Sequence, residues 1–167
     1  MQKLFRYIIL AVLLLIVQVL ILNHINFGGY ATSFLYIWLI LKLPNDMSRG
    51  LVISIGFFAG LIVDLFSNTP GMHALATTVL AYMKEPMMAL YIPREDMKTG
   101  VASIKLMGLG AFSRFMITCV LLYCSLLYII EAFSFFDWSI MLLKILASSV
   151  FTLVLIIGVE SLNPSFR

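Results

Sequence analysis

Gly56-Phe57-Phe58-Ala59-Gly60-Leu61-Ile62-Val63-Asp64-Leu65-Phe66-Ser67-Asn68-Thr69-Pro70-Gly71-Met72-His73-Ala74 sets the reading of this chain. Gly56, Gly60 and Asp64 recur at four-residue steps in an apolar run, so on a helix they share one face. Small residues there admit a neighbouring backbone. A carboxylate beside that groove must find a donor, because a charge unpaired at the bilayer centre costs at least about 2.5 kcal/mol. Packing against a donor is the reading adopted for Asp64; reaching the headgroups and relaying a proton or ion are the alternatives. Turn residues from Ser67 to Gly71 end the helix, and Thr69 is expected to cap the next one with Pro70 in its first turn. His73 then stands where an imidazole can hydrogen-bond the turn or Asp64.

Composition says what surrounds this stretch. Of 167 residues, 62% are hydrophobic and 11% charged, and the mean hydropathy is +1.07. A water-soluble core of this size cannot hide so much apolar surface, so lipid is the expected solvent. No polar stretch is long enough for a separate soluble domain, and residues 1–167 read as one all-α membrane domain. No basic tract points to nucleic acid.

Six membrane helices are expected, at about 4–22, 30–43, 50–66, 70–92, 107–130 and 138–159. The first has Lys3 and Arg6 ahead of an aliphatic run but no small-x-small cleavage site, and is read as retained. The second is short, with Lys42 expected to snorkel to the headgroups. In the fourth, Lys84-Glu85-Pro86 predicts a kink or a handover to an interfacial segment, and the kink is preferred. Lys and Arg collect at the N-terminus, the turn at Asp46, the loop around Glu95 and the C-terminal tail. That alternation predicts an even number of spans with both termini in the cytoplasm.

Other polar residues fall inside the apolar runs. Lys144 lies about two turns into the sixth helix, at a depth similar to Asp64, so an Asp64–Lys144 pair is expected, with snorkelling past Trp138 as the alternative. Arg114 and Glu160 are candidates for a second pairing across the bundle. Gly108 and Gly110 offer close packing at the start of the fifth helix. Cys119 and Cys124, five apart, fit neither a redox pair nor a zinc set, and His24 and His73 lack metal-ligand spacing. No nucleophile has a base in a motif context and no phosphate loop is present, so a non-enzyme without cofactor or metal is expected.

The stretch from Gly56 to Ala74 resembles the central signature of the MreD family, rod shape-determining membrane proteins of bacteria. The length, the six-span layout and the Lys42-Leu43-Pro44 turn extend the likeness over nearly the whole chain. The resemblance carries over Gly56, Gly60, Asp64, Gly71 and His73 as signature positions, none of them catalytic. It implies a multi-pass scaffold subunit of the cell-elongation machinery in the bacterial plasma (inner) membrane. Its implied partners are the single-span protein MreC, actin-like MreB, and the peptidoglycan synthase RodA with its paired transpeptidase. The family is also similar in its six-helix layout to the substrate-binding subunits of energy-coupling-factor transporters, an analogy of fold rather than function. A transporter subunit is therefore the competing reading, with a polar cavity bordered by Asp64, His73, Glu131 and Lys144.

Overall fold

The computed structural model describes residues 12–22, 32–93, 100–132 and 138–162. Among these there is helix and connecting turn but no strand. We label the helices α1 (residues 12–22, ending in the π-helical turn Gln18–Leu22), α2 (Ile37–Leu41), α3 (Arg49–Ser67), α4 (Met72–Met88), α5 (Ile104–Ala132) and α6 (Trp138–Leu162). Among the described residues, α3, the whole of α5 and α6 from Trp138 to Ser161 are long and apolar enough to cross a membrane.

Among the described residues α3 and α4 share the most extensive contact, and α5 packs against both α4 and α6. Glycine makes the first contact possible. A Cβ on Gly60 would collide with Thr77 Oγ1 and lie 2.6 Å from both Ala74 Cα and the His73 carbonyl oxygen. On Gly56 it would meet Ala81 Cβ at 2.9 Å and the Thr77 carbonyl oxygen at 3.0 Å. The face carrying both glycines is thus pressed onto the backbone of α4, the arrangement that small residues permit between membrane helices.

The second expected span takes another form. Only Ile37–Leu41 is α-helical; residues 32–34 are non-helical, and hydrogen bonds three residues apart link Phe34, Leu35 and Tyr36 to the residues that follow. A plain helix over residues 30–43 would cover only about 21 Å of a hydrocarbon layer about 30 Å thick. Three-residue bonding rises about 2.0 Å per residue instead of about 1.5 Å, so the tighter winding gains reach. This segment runs through the interior: Tyr36, Ile37, Trp38, Ile40 and Leu41 are fully buried. Irregular backbone is tolerated at membrane depth when protein covers it.

Two positions inside the helices concern their regularity. α4 continues through Pro86 and ends at Met88. A break in the helical backbone falls in α5, at Gly108, with φ 75° and ψ 158°, a conformation open to glycine because it lacks a Cβ. Among the described residues nothing lies within 4 Å of a Cβ built on Gly108 or Gly110, so neither makes there the close packing expected of it.

Long-range bonds define one end of the bundle. The Asn45 amide donates to the Gly100 carbonyl at 3.0 Å, and Lys42 reaches Glu160 near the end of α6. The turn at Asp46, the connection before α5 and the end of α6 therefore share an end.

Candidate functional site

Asp64 is 3% exposed and spends its carboxylate on the start of α4. Oδ1 accepts from the His73 amide at 2.9 Å and from Thr69 Oγ1 at 3.0 Å, and Oδ2 accepts from the Ala74 amide at 2.8 Å. The amides at the second and third positions of a helix have no partner within it. Asp64 supplies one to each, from the last turn of the preceding helix. Negative charge is also favoured at that end of the helix dipole.

The turn is shaped to allow this. Asn68 adopts the left-handed conformation (φ 54°) as it closes α3, and Gly71 (φ 83°) precedes Met72. The expected Thr69 cap is corrected on this point: Gly71 holds the N-cap position without a side-chain cap, and Thr69 donates to Asp64 instead. The expected Asp64–Lys144 pair is likewise replaced. Lys144 Nζ bonds Glu131 Oε1 at 2.8 Å and lies over the Tyr128 ring, because Glu131 at the end of α5 faces the start of α6.

His73 is tied to Asp64 through its backbone, while its ring points elsewhere. Nδ1 lies 2.7 Å from Tyr123 Oη and 3.3 Å from Tyr36 Oη, and the two hydroxyls are 2.6 Å apart. Phe34 packs against His73, Tyr123 and Tyr128 with ring centroids 5.3 to 6.4 Å apart. Three elements thus meet at one hydrogen-bonded triangle, and it joins the Gly56–Ala74 unit to α5 and to the irregular segment.

That segment is held by side chains. The Thr32 amide donates to Ser148 Oγ and the Phe34 amide to Thr152 Oγ1, both at 3.1 Å, while Gln18 Nε2 donates to the Ser33 carbonyl at 2.6 Å. Ser148 and Thr152 are four apart and so share a face of α6. Tyr128 Oη bridges Thr32 Oγ1 at 2.8 Å and Ser148 Oγ at 2.6 Å. Backbone groups that a helix would have paired internally are paired here by α1 and α6, as burial away from water demands.

At the other end of the segment Lys42 is 1% exposed and does not snorkel. Its Nζ donates to Glu160 Oε1 at 2.7 Å, Trp38 Nε1 donates to Oε2 at 3.0 Å, and the Phe112 ring lies 4.8 Å from the ammonium. Glu160 is thus committed to Lys42 and Trp38 rather than to Arg114, which is exposed on α5. The physical reason is position: α2 lies inside the bundle, where a cation needs a counter-charge.

Gly56, Gly60, Asp64, Gly71 and His73 are therefore gathered at the α3–α4 junction, while Lys144, Arg114 and Glu160 lie apart from it and from one another's expected partners. Sequence reasoning missed Gln18, Tyr36, Tyr123, Tyr128, Ser148 and Thr152. The signal was present as hydroxyls at a four-residue step inside an apolar span and an amide inside another, the residue types that bond across membrane helices. Among the described residues no group of three His, Cys, Asp or Glu could hold a metal ion, and Cys119 and Cys124 are buried and free. No family model matches this chain, and no curated protein or solved structure matches it significantly.

Proposed function

We propose that this chain is a non-catalytic, multi-pass scaffold subunit of the MreD type in a bacterial plasma membrane. In this reading it binds single-span MreC, works with MreB, RodA and the transpeptidase paired with RodA, and helps to position peptidoglycan synthesis. One observation carries the reading: the buried side chains of Asp64, His73 and Glu160 are engaged within the same chain, whereas the outward faces are apolar. Asp64 caps α4, His73 bonds two tyrosines, and Glu160 holds Lys42 and Trp38. Outside, Phe57, Phe58, Leu61 and Leu65 of α3 and Leu142, Leu146, Val150 and Val154 of α6 are exposed. Such surfaces suit association with helices or lipid, which in membranes rests on packing rather than on charge.

A second reading, a substrate-binding subunit of a transporter, draws on the irregular segment at residues 32–34, since broken helices at membrane depth often accompany substrate sites. The bonds of that segment to Gln18, Ser148 and Thr152 favour the scaffold. A mild-detergent pull-down of the tagged chain, with copurified proteins and small molecules both identified, separates the two. Recovery of a single-span partner together with wall synthases supports the scaffold; a stoichiometric small molecule without them sinks it.

A further inference from the structure

Arg114 is a cation on the outer surface of α5 with no counter-charge among the described residues. The described helices hold four carboxylates, and each is committed elsewhere. Asp64 serves the start of α4, Glu85 meets Arg49 at 2.5 Å, Glu131 meets Lys144 at 2.8 Å, and Glu160 meets Lys42 at 2.7 Å. An ionisable residue within a membrane span is a functional-site hypothesis by default, and here the anion has to come from outside those helices.

The surroundings of Arg114 point to one kind of occupant. It lies six residues past the break at Gly108, about 9 Å into the regular part of α5. Its neighbours on this face are apolar or already satisfied. Leu109 is 71% exposed and Ile117 43%. Ser113 Oγ donates to the Gly110 carbonyl at 3.1 Å. Thr118 Oγ1 donates to the Arg114 carbonyl at 2.8 Å and so accepts from Tyr91 Oη at 2.7 Å. The guanidinium is therefore the polar group that the face leaves unmet. Gly110 stands one turn before Arg114 and in line with it, and among the described residues nothing lies within 4 Å of a Cβ built there. The α5 backbone is thus open to close approach. A headgroup phosphate needs the guanidinium alone, whereas an open glycine between exposed apolar side chains is what a second helix uses.

We propose that the α5 face formed by Leu109, Gly110, Arg114 and Ile117 docks the transmembrane helix of a single-span partner that places an Asp or Glu level with Arg114. The ion pair fixes the register of the two helices, and Gly110 lets their backbones approach. The outer face of α6 at Leu146, Val150 and Val154 is equally apolar but carries no such charge, so it serves as the control. The proposal rests on the scaffold reading and names the surface that holds the partner.

The test places a photo-crosslinking amino acid at Ile117 or at Val150 of the full chain in cells and identifies the captured species by mass spectrometry. Ile117 is expected to capture a single-span protein with an Asp or Glu near the matching end of its span, and Val150 is not. The yield should fall about tenfold in Arg114→Gln and Arg114→Glu, survive in Arg114→Lys, and return in Arg114→Glu when the partner's carboxylate is exchanged for arginine. Should Arg114→Glu fail to fold, Arg114→Gln and the position of capture still decide. If the tagged chain copurifies with a single-span partner but Ile117 captures only lipid, or captures that partner no better than Val150, the docking face is overturned and the scaffold reading stands. A yield untouched by Arg114→Gln and Arg114→Glu, or a captured partner without a carboxylate near its span, has the same consequence. If no single-span partner copurifies with the wild-type chain, the face and the scaffold reading fall together.

Discussion

The α3–α4 junction and the segment from Thr32 to Leu43 solve the same problem, buried polar groups in an apolar bundle, by different means. At the junction the partners are close in sequence: Asp64 reaches Thr69, His73 and Ala74 across one turn. In the segment they are distant, with Thr32, Phe34, Trp38 and Lys42 bonded to residues of α6 more than a hundred positions away. The junction can therefore form as soon as α3 and α4 meet. The segment cannot, because its backbone and its cation stay unsatisfied until α6 arrives. Local capping thus gives a unit that a short motif can specify, whereas long-range bonding makes one element conditional on the rest of the bundle.

The sharpest way to break this contrast is at the distant end. Glu160→Ala leaves Lys42 buried without its counter-charge, and a loss of about 3 to 5 kcal/mol is expected in detergent unfolding. Adding Lys42→Met should recover most of it; a double variant as unstable as the single one would show that charge pairing is not what Glu160 supplies. At the junction, Gly60→Ala drives a methyl into Thr77 and the backbone of Ala74, for about 3 kcal/mol at the top of the overpacking range. Gly56→Ala meets softer contacts and should cost less, so equal melting temperatures for the two variants would argue against the packed geometry.

Smaller changes sharpen the comparison further. Asp64→Asn keeps an acceptor for one amide and loses the charge, for about 1 to 2 kcal/mol, while Asp64→Leu should cost more. Thr152→Val keeps the side-chain shape but leaves the Phe34 amide unpaired, for about 1 to 3 kcal/mol, and amide hydrogen exchange at Phe34 should accelerate. Exchange unchanged there would mean that the segment does not depend on α6. Gly110→Ala marks the floor: the site is helical and open, so the variant should be neutral or gain up to about 1 kcal/mol in thermal unfolding.

Much of the junction is legible in the sequence. Gly56, Gly60 and Asp64 at four-residue steps imply one packed face, and Asn68 to Gly71 imply a turn. Which donors Asp64 uses is not legible, since Thr69, His73 and Lys144 are all donor-bearing residues and only the path of the turn selects among them. Lys42 reads as an interfacial cation because a lysine stem snorkels wherever lipid is adjacent, and it is instead covered by neighbouring elements. The non-helical start of the segment is invisible for a related reason: the hydroxyls of Ser148 and Thr152 could as well bond their own helix.

By itself the sequence determined that the chain is apolar enough for a membrane, where α3, α5 and α6 lie, and that a small-residue face ends in a carboxylate. Those properties are sums or periodicities along one segment, fixed before any other segment is in place. Only the tertiary structure decided that the second apolar run departs from a plain α-helix, that Glu160 answers Lys42 rather than Arg114, and that Lys144 answers Glu131. Each of those outcomes is a choice among several chemically adequate partners. A hydrogen bond or ion pair acts over about 3 Å, so only packing in three dimensions makes the choice.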